Sequence, residues 1–113
     1  MRKTDKKIDN QLREVLTDIC EQTLKTYDGF LWVTHLVNFS NFPQSLKIVC
    51  VFDTNEQLET FVSTQGKAEV QRVMHKALMQ AGIKLKSIEK HLTFDTQENC
   101  ERDHRGKWDA RFG

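Results

Sequence analysis

Ile83-Lys84-Leu85-Lys86-Ser87-Ile88-Glu89-Lys90-His91-Leu92-Thr93-Phe94 is the stretch on which the fold turns. As a strand, it places Ile88, Leu92 and Phe94 on one face, with Lys90 between them. As a helix, it places Leu85, Ile88 and Leu92 on one face at i, i+3 and i+7, a fit no worse. Periodicity leaves both open. The residues that follow tip the balance, because Thr93-Phe94-Asp95-Thr96-Gln97-Glu98 echoes Val51-Phe52-Asp53-Thr54-Asn55-Glu56. The earlier copy closes Leu46–Phe52, the most β-branched and aromatic run of the chain, and then opens a helix in an Asx/Thr-x-x-Glu pattern. The same pattern after Phe94 argues for a strand over residues 86–94. A two-stranded hairpin is marginal by itself, so a third strand also makes the sheet viable.

Working outward, residues 5–27 form an amphipathic helix. Ile8, Leu12, Val15, Leu16, Ile19, Leu24 and Tyr27 recur at three- and four-residue steps, opposite Asp9, Arg13, Glu14, Asp18, Glu21 and Lys25. Gly29 suits its C-terminal cap. Phe30–Val37 reads as a strand, and the loop 38–45, with the only proline, joins it to the central strand in an antiparallel hairpin. Phe39 and Phe42 in that loop fit either a lid over the core or an exposed binding surface. After Asp53, a short helix with an apolar face of Leu58, Phe61 and Val62 is interrupted at residues 63–67. A second helix then runs over 68–81, with Val70, Val73, Met74, Ala77 and Leu78 inward and Gly82 as its cap. The tail, residues 96–113, starts with a short helix through Cys100, turns at His104-Arg105-Gly106, and docks back through Trp108 and Phe112. Residues 1–4 are expected to be disordered. The expected fold is one α+β domain over residues 1–113, with a three-stranded mixed sheet and the order α-β-β-α-α-β plus the tail.

Composition bounds the function classes. A chain of 113 residues is long enough to bury a core, and 38% apolar with 29% charged residues is ordinary for a globular domain. The net charge of +1 gives no global field for nucleic acid or a membrane. Between Lys67 and Lys90, however, six Lys or Arg stand against two Glu. Cys20, Cys50 and Cys100 are odd in number and widely spaced, which reads as free thiols in a reducing compartment. With no apolar segment after the basic N-terminus and no run long enough to span a bilayer, a cytoplasmic protein without a membrane partner is expected.

Two resemblances follow. The element order over residues 5–94 resembles the type II KH fold, in which a Gly-x-x-Gly loop between paired helices grips a nucleic-acid backbone. The equivalent loop, Thr64-Gln65-Gly66-Lys67-Ala68, has a single glycine. Ala77-Leu78-Met79-Gln80-Ala81-Gly82-Ile83, followed by Ile88 and Leu92, is similar to the helix-turn-helix of Fis-type bacterial regulators. That resemblance implies a second helix in the major groove, presenting Lys84, Lys86, Lys90 and His91. The whole chain resembles a small gammaproteobacterial family of uncharacterised proteins that sometimes carries the Fis label.

Three functions are weighed. The leading one is a non-enzymatic binding or regulatory module that contacts RNA or DNA through Lys67, Arg72, Lys76, Lys84, Lys86 and Lys90. The second is a protein-interaction or homodimer module using Phe39, Phe42 and the tail aromatics. The third is a hydrolase holding Mg²⁺ between Asp53, Asp95 and Glu98 at the carboxyl ends of two parallel strands. Against the third, both aspartates sit in capping patterns, and each is expected to cap the helix after it. Cys100 and His104, four apart on one helix face, suggest a thiol nucleophile or half of a zinc pair, but no oxyanion or second-pair motif accompanies them. No catalytic residue, metal ligand or cofactor is assigned.

Overall fold

The computed structural model describes residues 2–113. The first helix, α1 (Lys3–Gln22), begins within the segment expected to be disordered, so Lys3 and Thr4 are already helical, while Met1 lies outside the described residues. It buries Leu12, Leu16 and Ile19 and ends five residues before the apolar periodicity does. The Thr23 carbonyl accepts both the amide (3.1 Å) and the hydroxyl (2.6 Å) of Thr26, which tightens Leu24–Thr26 into a 3-10 turn that still buries Leu24. Gly29 is therefore no helix cap. Its φ of +84° turns the chain into β1 (Phe30–Leu36), and its carbonyl accepts the Asp53 amide at 2.8 Å.

β1 pairs antiparallel with the central strand β2 (Lys47–Phe52), and Val33 lies opposite Cys50. Helices α2 (Asn55–Ser63) and α3 (Gly66–Gln80) cross over to β3 (Leu92–Thr96), which is parallel to β2. The sheet order is β1-β2-β3, and the protein is α+β with a three-stranded mixed sheet. The break between α2 and α3 is only Thr64 and Gln65, shorter than the sequence suggests. Gln65 takes the left-handed conformation, and Gly66 packs so tightly on Phe61 that an added Cβ would lie 2.5 Å from its ring.

The third strand exists, but it starts later than expected. Ile83 and Leu85 turn inward and Lys84 and Lys86 outward as in a strand, yet nothing pairs with them. β2 begins only at Lys47, and its parallel register with β3 opens at Ile48 opposite Leu92. Residues 83–87 are thus irregular, unpaired chain with a bend at Lys86, Ile88–Lys90 is one 3-10 turn, and no α-helix follows the Gly82 turn before β3.

Alternation along β2 separates two apolar layers. Ile48, Cys50 and Phe52 join Leu12, Leu16, Ile19, Phe61, Val70, Met74 and Leu78 under α1, α2 and α3. Val49 and Val51, equally buried, face the other side, beneath the tail. The tail forms α4 (Gln97–His104) and α5 (Trp108–Phe112). The Trp108 ring meets Trp32 edge-on at 4.9 Å, and Phe112 lies 6.4 Å from the same ring. In the hairpin loop, Phe42 packs on the core and Phe39 leans against it at 6.2 Å.

Candidate nucleic-acid interface

All six cations of the basic stretch are exposed, and none forms an ion pair among the described residues. Their placements differ. Arg72 and Lys76, one turn apart, lie on the face of α3 opposite Val70, Met74 and Leu78. Lys84 and Lys86 alternate outward from the irregular segment after α3, and Lys90 ends the 3-10 turn beyond it. Lys67 is less free, because its ammonium lies 6.0 Å above the Phe94 ring at the start of α3. The two acids of this stretch are bonded to hydroxyls: Glu69 accepts from Tyr27 at 2.6 Å and Glu89 from Ser87 at 3.0 Å. Desolvation, reinforced by the Glu69 carboxylate, pushes the Tyr27 phenol up to about 12.

The N-terminus of α3 adjoins Lys67. Gln65 makes no side-chain cap, and Glu69 places a carboxylate in the first turn of the helix. The N-termini of α2 and α4 are instead satisfied from within. Thr54, not Asp53, caps α2: its hydroxyl accepts the Gln57 amide, and the Gln57 side chain accepts the Thr54 amide. Thr96, not Asp95, caps α4 by accepting the Asn99 amide at 3.0 Å. Threonine wins because each aspartate falls one residue too early to reach the third helical amide.

That displacement decides the strand-edge carboxylates. Asp53 is exposed, and only its backbone is engaged, its amide donating to the Gly29 carbonyl and its carbonyl accepting the Glu98 amide of α4. Asp95 receives the Arg111 fork, Nε on one oxygen and Nη2 on the other at 3.0 Å, and also accepts the Thr96 amide. Glu98 reaches back to the Asn55 amide at 2.9 Å and so fills the N-terminus of α2. Among the described residues, no group of three His, Cys, Asp or Glu side chains converges to hold a metal ion. Arg111 further donates from Nη1 to Asp103 at 3.2 Å and to His104 Nδ1 at 3.3 Å. Hydrogen bonds from Arg102 and then Arg111 hold the Asp103 carboxyl well below the usual range. Cys100 is fully enclosed, and loss of hydration raises its thiol above the ordinary value, the opposite of what a nucleophile requires. His104 turns to Arg111 instead.

One polar cluster escaped the sequence reading. A groove of about 530 Å³ runs between α1 and the edge strand β1. Within it, Asp9 accepts from Arg13 Nε at 3.0 Å and pairs with His35 Nε2 at 2.8 Å. The i, i+4 spacing of Asp9 and Arg13 was legible, whereas His35 comes from a strand 26 residues on. Its evident role is to tie α1 to the sheet edge.

No protein-family model matches the chain, and neither the curated proteins nor the solved structures yield a match. No helix among the described residues is long and apolar enough to cross a membrane.

Proposed function

We propose that this protein is a non-enzymatic binding module that holds the phosphate backbone of RNA or DNA. The observation that carries the reading is the unpaired state of Arg72, Lys76, Lys84, Lys86 and Lys90, all exposed on α3 and the segment after it. Phosphate contacts from such side chains release counterions and supply affinity without requiring a net positive protein. The element order α-β-β-α-α-β supports the likeness to the type II KH fold, with the Thr64–Gln65 turn in the position of its gripping loop. Because Lys84 and Lys86 lie outside any helix, backbone contact is favoured over insertion of a helix into the major groove.

The test is fluorescence anisotropy with labelled single-stranded RNA, single-stranded DNA and duplex DNA across a salt series. Binding should weaken linearly in log–log form. Changing Lys84, Lys86 and Lys90 together to Gln should reduce the slope by about 2 on a single strand, at about 0.7 per phosphate contact. No binding at low salt for any of the three probes would overturn the reading.

A second reading, association with a protein or a second copy, rests on β1. It is an edge strand with neither Lys nor Pro to blunt it, and Leu31 is 45% exposed. Sedimentation at rising concentration tests self-association, and a Leu31→Lys change should abolish it.

A further inference from the structure

Residues 83–87 have no strand partner, yet they carry two of the exposed lysines. Two histidines hold this segment and the turn after it in place. From α3, His75 Nε2 lies 3.2 Å from the Leu85 carbonyl oxygen, midway between Lys84 and Lys86. At the far end, His91 Nδ1 lies 2.7 Å from the Leu46 carbonyl oxygen, and the His91 carbonyl accepts the Ile48 amide at 2.7 Å. A carbonyl only accepts, so the proton sits on Nε2 of His75 and on Nδ1 of His91. Along this stretch, Ile83, Leu85 and Ile88 are buried, which leaves Lys84, Lys86 and Lys90 facing outward.

We infer that His75 and His91 are positioning residues that hold Ile83–Lys90 as a preformed cationic strap. Its lysines then meet an anionic backbone without first ordering the chain that carries them. The inference rests on the proposed function for its ligand, and on the hydrogen bonds alone for the anchoring. Ordering a residue's backbone carries an entropic cost, so loosening even one residue of the strap should weaken binding roughly tenfold, about 1.4 kcal/mol. The number of phosphate contacts would stay the same, and so would the salt slope.

The experiment compares wild type with His75→Ala and His75→Gln, the latter retaining an N–H donor. Backbone order parameters from ¹⁵N relaxation are followed in the free protein, and anisotropy uses an oligouridylate probe. His75→Ala should lower the order parameters of Lys84–Ser87 from about 0.85 to below about 0.6 and raise Kd about tenfold at an unchanged salt slope. His75→Gln should recover most of both. His91→Gln, a buried change, is checked by thermal melting and should loosen Glu89 to Leu92. Unaltered order parameters in His75→Ala overturn the anchoring, whether or not the probe binds. Lower order parameters with unaltered Kd overturn the positioning role alone. Failure of the wild type to bind any probe overturns the proposed function, and the positioning role with it.

Discussion

Replacing Arg111 by Ala should release the tail from the sheet. The Arg111 and Asp95 side chains are 19% and 18% exposed, so about four-fifths of each is out of water. An exposed pair contributes about 0–1 kcal/mol, whereas removing one partner of a fully buried pair costs about 3–5 kcal/mol. The partial exposure, and the Thr96 amide that still serves Asp95, place the cost near 2 kcal/mol. For a chain of this size, about 4 °C is lost per kcal/mol, so the midpoint should fall by about 8 °C. Thermal unfolding followed by far-ultraviolet circular dichroism measures it, and tryptophan fluorescence reports whether Trp108 has left Trp32. Arg111→Lys keeps the charge but not the fork and should fall between the two. If Arg111→Ala melts within about 2 °C of wild type, the pair does not fasten the tail, and the aromatic contacts alone must hold it.

Thr54→Ala and Thr96→Ala should each cost about 1 kcal/mol in chemical denaturation, while Asp53→Ala should change stability by less than about 0.5 kcal/mol, which separates the caps from their neighbours. Alkali should destabilise the fold in two overlapping windows. The Tyr27 phenol titrates near 10 when unfolded and near 12 when folded, so the unfolded chain releases a proton that the folded chain keeps, and stability present below pH 10 is lost as pH approaches 12. Burial does the same for Cys50, whose thiol is pushed up to about 12 from 9, so its window opens earlier. Urea midpoints measured against pH should decline from about pH 9. Tyr27→Phe should flatten the part above pH 10, and a midpoint independent of pH would contradict both assignments.

Local patterning carried the α+β order. The apolar stripe of α1, the β-branched run of β2 and the paired Phe-Asp-Thr motifs are each decided by residues within a few positions. The repeated motif also led to a true structural repeat, since a threonine caps the helix after β2 and the helix after β3 alike. The same local view named the wrong residue in each motif, because Asx and Thr are interchangeable as cap signals until backbone geometry says which one reaches the third amide. The basic stretch was legible as charge, though its exposure and lack of ion pairs were not.

Sequence patterning alone sets the period of each element: which faces are apolar, and that a third strand follows the helix pair. Tertiary structure alone fixes where that strand begins, because its first pair, Leu92 with Ile48, forms at the start of β2, more than forty residues away in the chain. Only it paired Asp95 with Arg111, His35 with Asp9, and His75 with the Leu85 carbonyl. The physical reason is common to all of these. Periodicity records how each residue partitions between water and core, whereas a hydrogen bond between distant residues needs angstrom placement that packing alone supplies.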